Sequence, residues 1–285
     1  MENIIVGIGE ILWDVLPTGK VLGGAPANFA YHVSQFGFDG YAVSAIGKDN
    51  LGNELIENLK GKFLKYVFEK VDFPTGTVQV TLNSKGIPQY EICENVAWDN
   101  IPFTAEIENL AKNTSTVCFG TLAQRSEISR QTIWQFLDLL PRDTMKVFDI
   151  NLRQNFYSKE IIDNSLKRAN ILKLNDEEVV VVAGLYGWPG KSESEVCKNL
   201  LKLYNLKVII LTRGTNGSYV FTHDKEFFQP TPIVEVVDTV GAGDAFTAGF
   251  VASLLKGKSI QEAHKTAVEV SAFVCTQKGG MPYLS

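Results

Sequence analysis

Short apolar runs rich in β-branched residues alternate with stretches of helical spacing along most of this chain. That rhythm limits the folds open to it. Ile4–Gly9, Tyr41–Ile46, Thr116–Gly120, Lys146–Ile150, Ile171–Leu174 and Val208–Thr212 read as strands. Pro26–Phe36, Asn50–Lys60, Ser129–Leu140, Ser158–Ala169 and Glu193–Leu203 read as helices between them. Strands that are apolar throughout, not only on alternate residues, need cover on both faces. Alternation with helices supplies that cover and predicts an α/β fold with a mostly parallel sheet.

Two stretches break the rhythm. Residues 11–22 are strand-like but contain Asp14, Pro17 and Gly19. Within 75–99, Val78, Val80 and Leu82 alternate with Thr77, Gln79 and Thr81, and Gly86-Ile87-Pro88 marks a turn. Such alternation gives one buried and one wet face. Both stretches are expected to form one small β-sheet inserted into the α/β core, acting as a lid, a homodimer surface, both, or a fixed extension.

Composition narrows the function. The 285 residues are 45% hydrophobic and 21% charged, enough apolar surface for an ordered chain. The net charge of −5 argues against general nucleic-acid binding, which needs a basic face. It leaves open a small anion held by local amides and a few cations. No apolar run reaches the ~18–20 residues of a membrane span. The first residues carry Glu10 and Asp14 within their apolar stretch, so they read as a strand and not as a signal peptide. The four cysteines are scattered without a Cys-x-x-Cys pair, so free thiols and a cytoplasmic location are expected.

Three patterns invite misreading. Gly7-Ile8-Gly9 follows a strand but lacks the third glycine and the helix of a dinucleotide fingerprint. Gly184 to Gly190-Lys191-Ser192 is one residue too long for a phosphate-wrapping loop and contains Pro189. His32, His223 and His264 are isolated, without metal-ligand spacing.

Five segments can carry chemistry. The sequence Asp238-Thr239-Val240-Gly241-Ala242-Gly243-Asp244-Ala245-Phe246 opens a helix on residues with almost no side chain. Unpaired first-turn amides there, with the helix dipole, make an anion site. Asp244 beside a bound phosphoryl group can take the proton of an incoming hydroxyl, or it is simply a good first-turn residue. Gly23-Gly24-Ala25-Pro26-Ala27-Asn28 allows a tight turn against a ligand, with Asn28 facing a polyol, or marks only a helix start. Asn175-Asp176-Glu177-Glu178 ends a strand and can hold hydrated magnesium, or is a solvated helix start. Arg153 in Asp149-Ile150-Asn151-Leu152-Arg153 can clamp a phosphate. Thr212-Arg213-Gly214 is a glycine turn suited to a nucleotide.

In this order the segments resemble the ribokinase-like (PfkB) family of carbohydrate kinases, over nearly the whole chain. GGAPANFA and DTVGAGDAF look like its two signatures, and Asn175 with Glu178 like its Asn-x-x-Glu motif. The resemblance implies a three-layer α/β/α sandwich over residues 1–285 with a small β-sheet lid. It implies that Asp244 is the base and that the amides of Gly241, Ala242 and Gly243 stabilise charge on the transferring phosphoryl. Asp14, Gly23, Gly24 and Asn28 would hold sugar hydroxyls, and Arg153 would sit near the phosphates. Asn175, Thr212, Gly214 and Gly243 would contact ATP, and Glu178 would hold Mg2+ through water.

The Ala-Pro pair of GGAPAN, the Val96-Ala97-Trp98-Asp99 segment and FDINLR are most like fructokinases. Trp98 would then close over an apolar sugar face, or serve as a lid-core residue. The implied reaction moves the γ-phosphate of ATP to a ketohexose, giving fructose 6-phosphate from fructose. Ketodeoxygluconate, ribose or a nucleoside are alternative acceptors, and a silent sugar-binding protein is a further alternative. K+ beside Asp238 belongs to the same pattern. The ending GGMPYLS departs from it, with Tyr283 in place of a small polar ligand, although backbone carbonyls remain as donors.

Overall fold

The computed structural model describes residues 3–16, 19–82 and 88–284, with only the backbone of 80–82 and 88–90. The turn expected at Gly86-Ile87-Pro88 falls largely outside the described residues, as does Pro17.

In chain order the first elements are β1 (Ile4–Ile8), β2 (Leu12–Leu16), β3 (Gly19–Gly23), α1 (Ala25–Ser34), β4 (Asp39–Gly47), α2 (Asn50–Leu59) and β5 (Lys65–Val71). Then come β6 (Thr77–Leu82), β7 (Pro88–Ile92), α3 (Ala105–Asn113), β8 (Thr114–Phe119), α4 (Glu127–Asp138), β9 (Met145–Asp149), α5 (Lys159–Arg168) and β10 (Ile171–Asn175). The chain closes with α6 (Asp176–Leu185), α7 (Glu193–Leu203), β11 (Val208–Thr212), β12 (Ser218–Phe221), β13 (Glu226–Gln229), α8 (Ala242–Leu255) and α9 (Ile260–Cys275).

The large sheet runs β13-β12-β11-β10-β9-β8-β1-β4-β5 and is parallel from β5 to β11. Strands β12 and β13 are antiparallel additions at one edge, which the strand–helix rhythm does not reveal. Successive strand residues point to opposite faces. Thus Ile5, Val147, Ile171 and Ile210 pack with Phe29 of α1 and with Phe246 and Phe250 of α8. Val6, Ile8, Phe148 and Leu172 pack on the other face with Ile133 of α4, Val179 of α6 and Leu200 of α7. The result is the expected three-layer α/β/α sandwich.

Observed boundaries shift by one to two residues from those expected: α1 starts at Ala25 and ends at Ser34, and α4 starts at Glu127. Strand β5, with its alternating polar residues, and helices α3, α6 and α9 lie outside the expected rhythm. The chain leaves β1 for β4 and β5, then returns to place β8 on β1's other side. That reversal opens a crevice at the carboxyl ends of the strands, the usual place for a ligand in such sheets.

The small sheet, β3-β2-β6-β7, forms from the two irregular stretches. Val78 is buried while Thr77 and Gln79 are half-buried, as alternation requires. The stretch 75–99 is not all sheet. After β7, residues Val96 to Ile101 turn inward, and Trp98 is completely buried in the main core. Its ring stacks on the Arg125 guanidinium, 4.1 Å from ring centroid to the guanidinium carbon. Trp98 therefore does not cover a sugar. An indole with no exposed surface is a packing residue, and its sequence neighbourhood gave no sign of which side of the sheet it would join.

Candidate active site

A cavity of about 560 Å3 fills the crevice. Its walls include Glu10 after β1, Arg153 after β9, Asn175 at the end of β10 and Glu178 after it, and Thr212 at the end of β11. Leu12, Asp14, Val78 and Ile92 of the small sheet form another wall. Asp14, Gly23, Gly24, Asn28, Gly241, Gly243 and Asp244 also line it, so most residues singled out in the sequence converge here. A second cavity, of about 410 Å3, is lined by Gly214, Ala242, Ile233 and Val236. The two cavities share Thr212, Thr239 and Gly243.

The shared wall is the tip of α8. Gly241 caps this helix at φ 75°, a left-handed conformation that strains any residue with a Cβ, and no side chain caps the helix. An ideal Cβ there would stand 2.6 Å from Gly280 Cα. The Ala242 amide donates to Thr239 O at 3.3 Å, which closes the turn. It is thus less free than expected, whereas the amides of Gly241, Gly243 and Asp244 meet no acceptor among the described residues. First-turn amides left open to a cavity attract an anion.

Asp244 is half-buried in this tip. Burial and the neighbouring Asp149 push its carboxyl up to about 6, against the hydrogen bond from Asn28 and the charges of Lys173 and Arg153. Asn28 Nδ2 donates to Asp244 Oδ2 at 2.8 Å, fixing the carboxylate's orientation. Asn28 stands one turn into α1, whose glycine cap, Gly24, has φ 118° and likewise offers no side-chain cap. Gly23 leaves room for Asp14, since an ideal Cβ would lie 2.5 Å from Asp14 Oδ2. Burial pushes Asp14 up to about 6, opposed by Arg153.

Asn175 and Glu178 make a capping box. Asn175 Oδ1 accepts from the Glu178 amide and Glu178 Oε2 accepts from the Asn175 amide, both at 2.8 Å. Glu178 Oε1 accepts from the Leu152 amide at 2.8 Å. The helix-start reading of this motif and its place in the cavity therefore hold together. Each carboxylate oxygen keeps a lone pair beyond its backbone bond. Among the described residues no three of His, Cys, Asp and Glu converge as metal ligands. This donor set fits a magnesium that keeps its waters and travels on substrate phosphates.

Asp238 lies outside both cavities. Its carboxylate accepts from the Val240 and Gly279 amides, each at 3.0 Å, tying the loop before α8 to the C-terminal segment. Tyr283 is exposed. The Gly190-Lys191-Ser192 turn is only the start of α7, where Ser192 and Glu195 cap one another. His32 and His264 are buried, against Gly280 O and Ser218 Oγ, and His223 is exposed.

Sequence reasoning missed two groups in the cavity. Glu10 is buried with an unpartnered Oε2, and burial pushes it up to about 7. Lys173 is buried and ion-paired to Asp149. A charged residue at each place, within an otherwise apolar strand or strand end, was the available signal.

A half-buried acid stands beside open amides where two cavities meet, an arrangement suited to group transfer. Residues 13–284 match the model described as pfkB family carbohydrate kinase, and the chain belongs to that family. It is a sugar phosphotransferase. The ATP-dependent 6-phosphofructokinase of Thermoanaerobacterium thermosaccharolyticum is 28% identical over 94% of this chain and 87% of its own length. Fructokinase-2 of Zea mays is 28% identical over 99% of this chain and 91% of its own. Fructokinase of Vibrio cholerae O395, solved with fructose, ADP and a calcium ion, superposes with a TM-score of 0.82 at 21% identity, covering 99% of this chain and 95% of that one.

Proposed function

We propose that the protein transfers the γ-phosphoryl group of ATP to a hydroxyl of fructose, giving ADP and fructose 6-phosphate. The observation that carries this reading is Asp244 at the uncapped tip of α8, in the larger cavity and next to Gly243, which both cavities share. The nucleotide enters the 410 Å3 cavity along Thr212 and Gly214, and its phosphates reach the open amides of Gly241 and Gly243. The sugar occupies the 560 Å3 cavity, with its hydroxyls on Asp14 and Asn28.

Asp244 receives the hydroxyl proton as the sugar oxygen bonds to phosphorus and the bridging bond to ADP breaks. With its carboxyl near 6, it is ionised at neutral pH and ready to accept. Arg153, which lines the larger cavity, would meet the transferring phosphoryl group. Asn175 and Glu178 would hold a hydrated Mg2+ that offsets phosphate charge. The small sheet closes over the sugar through Leu12, Val78 and Ile92, keeping water from competing as acceptor.

The carboxylates of Asp14 and Asp244 favour a neutral polyol over a sugar that already bears a phosphate. The plant and Vibrio relatives named fructokinase support the same acceptor. Coupled ADP release tests the reading, over fructose, fructose 6-phosphate, ribose, ketodeoxygluconate, glucose and adenosine, with and without potassium. Fructose should give the highest kcat/KM, and a clear preference for any other acceptor overturns the assignment.

A further inference from the structure

We infer that Lys173 is a further catalytic residue, its ammonium donating a hydrogen bond to the phosphoryl group as it passes the tip of α8. The inference rests on phosphoryl transfer at that tip, not on the identity of the sugar.

Lys173 stands two residues before Asn175 on β10, so both side chains leave the strand on one face. Its side chain is only 9% exposed, yet it lines the main cavity. Nζ donates to Asp149 Oδ1 at 3.0 Å and Oδ2 at 2.9 Å. An ammonium has three donors, and the third meets no acceptor among the described residues. Asp149 Oδ2 also accepts from Thr247 Oγ1 at 3.3 Å, which anchors the pair to α8.

The distance to the tip is decisive. An ideal Cβ on Gly243 would lie 3.2 Å from Lys173 Nζ and 3.8 Å from its Cε, the nearest atoms beyond the helix's own first turns. The open Gly243 amide and the spare ammonium donor therefore serve the same small volume. Three acids, Asp149, Glu178 and Asp244, surround that volume and act on Lys173. Arg153 at the cavity's exposed rim is the other cation near these acids, so Lys173 is the buried one that a phosphoryl group arriving there would meet. A buried ion pair is a poor device for stability alone, since an apolar pair of similar size often does as well.

The step is the transfer already described. The phosphorus–oxygen bond to ADP breaks, the bond to the sugar oxygen forms, and the proton goes to Asp244. Lys173 gives up no proton; it holds charge on the equatorial oxygens. Asp149 is a positioning residue that aims the ammonium.

Two variants test this. Lys173→Gln keeps a donor but removes the charge. The double variant Lys173→Met with Asp149→Asn removes both charges, so no buried ion is left unpaired, and it carries the test where Lys173→Gln does not fold. Both are measured for kcat, sugar KM, thermal melting, and the affinity for ADP with aluminium fluoride, a planar phosphoryl mimic, relative to ADP alone. The expected result is a kcat loss of about 10²–10³-fold in both, comparable to removing one transition-state donor. Sugar KM should stay within about threefold, while the preference for ADP with aluminium fluoride falls in step with kcat.

A double variant whose kcat returns to within about tenfold of wild type makes the pair structural and overturns the inference. A kcat loss without loss of aluminium fluoride preference does the same. Wild-type protein that prefers ADP with aluminium fluoride but phosphorylates none of the sugars removes the acceptor reading while the two variants still report on Lys173.

Discussion

Helices α8 and α9 pack side by side, yet their N-termini are built in opposite ways. At the start of α9, Ser259 Oγ accepts from the Glu262 amide at 3.3 Å, and Glu262 Oε2 accepts from the Ser259 amide at 2.9 Å. That tip is exposed and satisfied by its own side chains. The start of α8 has a glycine in a left-handed conformation, no side-chain cap and an acid in its first turn. A capped tip stabilises its helix, whereas an open tip facing a cavity leaves its donors for a ligand. Helix α1 repeats the open design with Gly24, while α2, α5 and α7 are capped by Asp49, Ser158 and Ser192. Helix α4 also starts without a side-chain cap, at Ser126, but the two open helices that begin on a glycine are those that supply Asn28 and Asp244.

The contrast can be broken by mutation, most strongly at the acid itself. Asp244→Asn should lower kcat by about 10²–10⁴-fold with sugar and ADP affinity retained, as read by steady-state kinetics and calorimetry. Near-normal turnover would show that the open tip needs no base.

Gly241→Ala places a Cβ against Gly280 at φ 75°. It should cost about 1–3 kcal/mol of stability and lower kcat together, seen by denaturant unfolding and ADP release. The matching change on the other helix, Ser259→Ala, should cost about 1 kcal/mol and leave kcat alone. Equal kinetic effects from both would remove the distinction between the tips.

Proton linkage sharpens it further. Because Asp244 must be ionised to accept a proton, kcat/KM should fall as pH drops through about 6. Glu10 has the smallest expected effect. Its carboxyl sits at about 7 in the folded protein and near 4.5 when unfolded, so the folded state binds the proton more tightly. The stability it contributes is complete below about pH 4.5 and is lost as pH rises through 7. Glu10→Gln should therefore raise the melting temperature more at pH 8 than at pH 5, and a constant offset would show that Glu10 does not titrate there.

His32 works with the opposite sign. Burial holds it down at about 4, so its contribution is complete above about pH 6.5 and is lost as pH falls from there through 4.

Much of this was legible in the chain. The parallel sheet follows from apolar strands between helices. The two open tips follow from Gly23-Gly24-Ala25-Pro26 and Gly241-Ala242-Gly243, because glycine at a helix start acts through its own backbone. Asn28, Asn175 and Asp244 were recognisable because each lies within a short motif whose meaning is local, whereas Asp14 came only through the family resemblance. Trp98 was misplaced because a large aromatic beside a strand carries no sign of which surface it will join.

Local chemistry thus determined the helix starts, the strand order's raw material and the position of the acid. Only the folded chain decided how distant strands stand beside one another. In the β9–β10 pair Lys173 falls opposite Asp149, residues 24 apart in sequence, and both end next to α8. That register comes from packing both faces of a buried sheet at once, and no single segment carries it. The same closure buried Glu10 between the starts of α1 and α8, where desolvation and the neighbouring Asp244 raise its proton affinity.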